Sequence, residues 1–189
     1  ELERADNAGG EEGALALARA LRKNGSLRTL SLRLNAFVGD AGGEALCDAI
    51  RKASVAGSTR LESVDLGACG LGPRAARAAA RMLRCENSVL LSASFAGNDD
   101  FGPEAGGAFR AAFRGRVAAE AETADAFPQT AATSFPPAFP SVRALEVRGC
   151  GFGEECEEAL EAAVRANRAR LEAVGGAGWF PERGAGVGK

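Results

Sequence analysis

Side chains that commonly carry bond-making chemistry are scarce in this chain. Its 189 residues include no His and no Tyr. That removes Ser-His-Asp and Cys-His nucleophile systems, His general bases and His-containing metal sites. Five cysteines remain (Cys47, Cys69, Cys85, Cys150, Cys156), with a carboxylate run at Glu154, Glu155, Glu157 and Glu158 and several glycine clusters. An odd number of cysteines without a Cys-x-x-Cys pair fits neither a disulfide scaffold nor a zinc site, and reads as reduced thiols in a cytoplasmic protein. The carboxylates open a helical stretch that Arg165 and Arg168 close, which is the placement a helix dipole favours, and nothing marks a cleft around them. Gly149-Cys150-Gly151-Phe152-Gly153 looks like part of a dinucleotide fingerprint, but it recurs as Gly67-Ala68-Cys69-Gly70-Leu71-Gly72, so it reads as a structural bend. In the tail Gly184-Ala185-Gly186-Val187-Gly188-Lys189, Arg183 stands where a phosphate loop needs its first Gly. No catalytic residue, cofactor or metal is expected.

The elements that position these residues are constrained by composition. Hydrophobic residues make up 46% of the chain, but 41 of them are Ala, and Gly adds 25 residues, so bulky core material is limited. Lys and Arg number 23 against 25 Asp and Glu, a net charge of -2 that argues against a dedicated binder of nucleic acid or anionic membrane. No apolar run approaches the roughly 18 residues of a membrane span. The chain opens on Glu1, inside what proves to be a repeat, and so reads as a piece of a longer protein.

Repetition decides the architecture. Leu27-x-x-Leu30-x-Leu32-x-x-Asn35-x-Phe37 is followed by Leu61-x-x-Val64-x-Leu66-x-x-Cys69-x-Leu71, and later by Val142-x-x-Leu145-x-Val147-x-x-Cys150-x-Phe152. A degenerate copy runs Leu90-x-x-Ala93-x-Phe95-x-x-Asn98, then Phe101 after one extra residue. Positions 1, 4 and 6 form a strand with its apolar side chains inward. The Asn or Cys at position 9 turns inward to bond loop backbone groups, and Phe37, Leu71, Phe101 and Phe152 are expected to plug the bend. Helices are predicted over 14–23, 43–52, 73–84, 103–114 and 154–166. Asn24, in a formal glycosylation sequon, is read as ending the first helix, as Asn87 and Asn167 do at matching places. Leu171-x-x-Val174 is expected to begin a sixth copy. Cys69 and Cys150 are expected to be buried and unreactive, with Cys85 the more exposed thiol. Arg74, Arg77, Arg81 and Arg84 are read as a solvated helix face.

The pattern resembles the leucine-rich repeat, and its 28–29-residue unit with a full helix resembles the ribonuclease-inhibitor-like class. The resemblance implies a curved α/β solenoid, a right-handed β-α superhelix with parallel strands on the concave face and helices on the convex face. It also implies a non-catalytic interaction module or scaffold that binds another protein through the strand face. The positions so implied are Arg28, Ser31, Arg33, Glu62, Asp65, Ser92, Ser94, Arg143, Glu146 and Arg148, with Thr29, Ser63 and Glu172 beside them. Two further readings stay open: a regulator that activates small GTPases, and the sensor portion of a larger nucleotide-binding receptor. The location is expected to be cytoplasmic, with a ciliary or organellar assembly as the alternative.

Domain organisation follows from the spacing. Residues 1–174 are expected to form about five repeats plus a partial sixth, and residues 175–189 a Gly-rich tail. The Leu27-to-Leu61 interval of 34 places about five extra residues within 53–59. The Leu90-to-Val142 interval of 52 places a Pro/Phe-rich insertion near 115–141, with Phe127, Phe135 and Phe139 each followed by Pro. This insertion is expected to fold back over the repeats, with partner anchoring as the alternative. Trp179-Phe180-Pro181 is expected to cover the open end of the core.

Overall fold

A computed structural model describes residues 2–3, 10–84, 89–113 and 141–175. The insertion, Cys85, Asn87, the tail and Trp179–Pro181 lie outside the described residues. Strands and helices alternate: β1 (Leu2–Glu3), α1 (Gly10–Leu21), β2 (Thr29–Ser31), α2 (Gly39–Val55), β3 (Ser63–Asp65), α3 (Pro73–Leu83), β4 (Ser92–Ser94), α4 (Pro103–Phe113), β5 (Ala144–Glu146) and α5 (Glu154–Gly175). The five strands form one open parallel sheet in chain order. Leu2, Leu30, Val64, Ala93 and Leu145 fall in one register row, so the repeated apolar position does align from unit to unit. Leu30, Val64 and Ala93 are fully buried, while Leu145, on the end strand, is half-buried.

Small residues let neighbouring helices approach. A Cβ on Gly43 of α2 would strike Leu71 and Ala75, and one on Gly106 of α4 would strike the Cys156 thiol. Ala75, Ala76, Ala78 and Ala79 of α3 are all fully buried. The small strand residue Ala93 belongs to the unit richest in aromatic side chains. There Phe95 meets Phe109 edge-on at 5.7 Å, and Phe152 of the next unit lies 5.3 Å from Phe109.

The inward ladder has a period of two units. Asn98 Oδ1 accepts the amides of Cys69 and Leu71, each at 3.0 Å, and its Nδ2 donates to the carbonyls of Leu66 at 2.9 Å and Phe95 at 2.6 Å. Asn35 Nδ2 donates to Leu32 O at 2.7 Å, and the Cys69 thiol donates to that same carbonyl at 3.0 Å. One period later, Phe95 O accepts from Asn98 and also from the Cys150 thiol, at 3.2 Å. The two bend types differ in length. Asn35 and Asn98 are each followed by a 3₁₀ turn (Ala36–Val38, Asp99–Phe101), whereas Cys69 and Cys150 are followed at once by Gly70 and Gly151 with φ of +64° and +69°. A side chain on either glycine would run into the carbonyl of Ala36 or Asp99 in the preceding bend, so Gly is required there for both reasons.

This difference in length corrects several expectations. Phe37 does not plug its bend: it is 74% exposed, and Val38, one residue further round the 3₁₀ turn, is buried instead. Leu71, Phe101 and Phe152 are buried as expected. The extra residues near 53–59 largely lengthen α2, which has 17 residues against 11 in α3, rather than forming a bulge. Leu171–Val174 starts no strand but continues α5, and Asn167 sits within that helix, buried, donating to Val142 O at 2.8 Å. Asn24 does lie just past α1, its Oδ1 accepting the amides of Ser26 and Leu27. Asp40, in the first turn of α2, accepts the amides of Gly72, Arg74 and Ala75 and so caps the neighbouring helix α3.

Burial pushes the thiols of Cys47 and Cys150 up to about 12 and that of Cys69 up to about 11, from an ordinary 9.0. Three measurements check this arrangement. Replacing Asn98 by Ala leaves two buried amides and two buried carbonyls short of a partner and is expected to destabilise the protein by about 3 kcal/mol or more in urea denaturation; a loss under about 1 kcal/mol contradicts the ladder. With a disulfide reagent at pH 8 the half-exposed Cys156 should react in the native state, and Cys47, Cys69 and Cys150 only on unfolding, as mapped by peptide mass spectrometry. Because the raised thiols stay protonated while their unfolded counterparts ionise, their contribution to stability is complete below pH 9. It falls as pH rises from 9 towards 12, by up to about 1.4 kcal/mol per pH unit for each thiol. The urea midpoint should therefore drop between pH 8 and about pH 10.5, and less steeply in a Cys47→Ala variant.

Candidate interaction face

Alternation along each short strand sends the residues flanking the buried one to the opposite side of the sheet. The register collects them into rows. Thr29, Ser63, Ser92 and Ala144 form one row; Ser31, Asp65, Ser94 and Glu146 form the next. Arg28, Glu62, Leu91 and Arg143 adjoin the first row, the amide of each donating to the carbonyl of the one before it. The result is a floor of small hydroxyl side chains with charges at its margins.

Most of those charges meet across neighbouring strands. Arg28 pairs with Glu62, and Ser94 Oγ donates to Glu146 Oε2 at 3.2 Å. Asp65 accepts the Gly67 amide at 2.9 Å and lies 3.9 Å from Arg33. Gly67 leaves room for this, since a Cβ there would crowd both the Arg33 guanidinium and the Asp65 carboxylate. Arg143 is exposed, with no ion pair among the described residues. Arg148 turns away from the strands to Glu161 of α5, at 3.7 Å. Glu172 is not on the strand face: it lies on α5 and pairs with Arg168 at 3.2 Å. Exposed pairs of this kind contribute little to stability, so they order the surface rather than hold the fold. The face offers hydrogen bonds and matched charges to a ligand. Cys47, Cys69 and Cys150 are buried and so do not reach this face. Among the described residues, no group of three or more His, Cys, Asp or Glu could hold a metal ion, and no helix is long and apolar enough to cross a membrane.

Two residues at the carboxyl end of β2 escape a reading based on inward positions. Leu34 has a φ of +63° and is 55% exposed. The matching positions in the other units hold Ala68, Gly97 and Gly149, with φ of +52°, +73° and +68°. A left-handed conformation costs a side chain with a Cβ roughly 1–2 kcal/mol relative to Gly. Phe37, close by on the same bend, matches Asp100 in the other 3₁₀ turn. The sequence holds a signal for both, visible once the two Asn-type bends are aligned with their extra residue: large apolar side chains stand where the sister units have small or charged ones.

On the helix layer, the α3 arginines are partly engaged. Arg74 pairs with Glu44, and Arg81 with Asp48 at 3.3 Å, both across to α2.

A leucine-rich repeat family model matches residues 23–47, the span that holds β2, its Asn35 bend and the first half of α2. No curated protein matches the chain. Residues 23–47 are thus similar to a leucine-rich repeat, and the match, with alternating helices on a parallel sheet, supports a leucine-rich repeat protein.

Proposed function

We propose that this chain is a non-catalytic interaction module or scaffold that holds a partner protein against its strand face. The face comprises Arg28, Ser31, Arg33, Glu62, Asp65, Ser92, Ser94, Arg143, Glu146 and, at its margin, Arg148. Leucine-rich repeats commonly serve protein–protein interaction, which supports the coarse reading. In this proposal residues 1–174 form a curved solenoid of the ribonuclease-inhibitor-like class, residues 175–189 are a tail, and the thiols are kept reduced in the cytoplasm. The near-neutral net charge favours a protein over nucleic acid or membrane as the partner.

The observation that carries the proposal is the pair Leu34 and Phe37. An exposed Phe and a strained, exposed Leu cost stability and contribute nothing to the core, which suits them to act as anchors for a second surface. Because the stack is already ordered, docking on it loses little conformational entropy.

The test uses a photo-crosslinking amino acid placed at position 37 or, as control, at Asp100. Position 37 is expected to capture one protein reproducibly, identified by mass spectrometry, and position 100 is not. With that partner in hand, Phe37→Asp should weaken binding about 30-fold or more. Leu34→Gly should raise unfolding stability by about 1 kcal/mol while weakening binding. Equal capture at both positions, or unchanged affinity in both variants, contradicts the proposal.

A further inference from the structure

The helix layer carries a second surface, independent of the strand face. A groove of about 390 Å³ runs between α1 and α2. One wall is Leu15, Ala18 and Arg19 of α1 with Arg22 just past its end, a helical stripe at spacings of three and four; the other is Ala41, Glu44, Ala45, Asp48, Ala49 and Lys52 of α2, a stripe with the same spacings, and Arg74 of α3 also lines the groove. Eleven residues separate Ala41 from Lys52, so the groove extends for about 16 Å, or three helical turns. Its floor is apolar and made largely of alanines, which leaves space that bulkier residues would fill.

The charges around it are unbalanced. Both carboxylates in the walls are already paired, Glu44 with Arg74, which itself lines the groove, and Asp48 with Arg51 and Arg81. Arg19, Arg22 and Lys52 are exposed and have no carboxylate partner among the described residues. The adjacent valley, between α2 and α3, differs because Arg74–Glu44 and Arg81–Asp48 bridge it. On its α1 side the groove is lined only by cations and apolar residues, so among the described residues no ion pair bridges it to α2.

We infer that this groove is a docking site for an acidic amphipathic helix of a partner protein. Two or three bulky apolar side chains on one face of that helix would lie over Ala18, Ala45 and Ala49, and flanking carboxylates would meet Arg19, Arg22 and Lys52. The geometry is that of helix-in-groove recognition, with apolar anchors at helical spacing supplying affinity and the cations supplying orientation.

The probe is a fluorescein-labelled peptide of about 18 residues with Leu at helical i, i+3, i+4, i+7 spacing and Glu elsewhere, followed by fluorescence anisotropy on the full chain. Saturable binding is expected, weaker as NaCl rises from about 50 to about 300 mM. The double variant Arg22→Glu with Lys52→Glu should lose about tenfold or more in affinity. Ala45→Trp, which fills the groove, should do the same, while Arg28→Glu on the strand face should leave binding unchanged. Circular dichroism checks that each variant is folded, and the surface charge variants keep the test decisive if Ala45→Trp does not fold. The inference is overturned by no binding, by equal binding of a peptide with Lys in place of Glu, or by indifference to the groove variants. It is also overturned if sedimentation velocity shows self-association that those variants abolish, since the occupant is then a second copy. Equally sensitive binding to phosphatidylserine-containing vesicles overturns it in favour of a lipid surface.

Discussion

A three-residue strand that turns at once towards a helix leaves polar backbone groups inside the molecule, where each must find a partner or cost free energy. In this chain the partners come from the neighbouring unit as well as from the same one. Leu32 O and Phe95 O each accept from an Asn of their own unit and from a Cys thiol of the next. Asn98 reaches back to the amides of Cys69 and Leu71. The bends are therefore satisfied only when the units lie side by side in register. The same requirement explains the alternation of bend types: the longer Asn-type turn projects carbonyls against which only a glycine of the shorter Cys-type bend can pack.

Once the bends are coupled, the two faces of the protein are free to differ. Strand residues facing away from the core carry no structural duty beyond the ladder of backbone hydrogen bonds, and they hold small hydroxyls and paired charges. The bend after β2 goes further and displays Leu34 and Phe37 against both conformational and hydration cost. On the helix side, spacing between units is set by alanines and glycines in contact. Whether the valley between two helices is bridged then depends on surface charges alone. Arginines on α3 find carboxylates on α2, and arginines on α1 do not.

The unit pattern was legible because inward positions recur within a few residues of each other. Leu30, Val64 and Leu145 were readable as one row, Asn35, Cys69, Asn98 and Cys150 as inward polar residues, and Pro73, Pro103 and Glu154 as the first residues of helices. Phe37 was misplaced because its bend is one residue longer than the Cys-type bends, a difference that shows only when Asn98 and Phe101 are aligned with Asn35 and Val38. The lengthening of α5 through Leu171 was hidden as well, since Leu-x-x-Val suits a helix face as readily as the start of a strand.

Apart from Phe37 and the extension of α5, the amino-acid order alone determined which side chains face the core and the spacing from unit to unit, because both depend on spacing within a single strand, bend and helix. Tertiary structure decided everything that passes between units. The capping of α3 by Asp40, the carbonyls shared by Asn and Cys, the pairing of Arg28 with Glu62, and the open valley between α1 and α2 join residues of different units, up to 55 positions apart. Their meeting depends on how closely one unit packs on the next, and local periodicity carries no record of that distance.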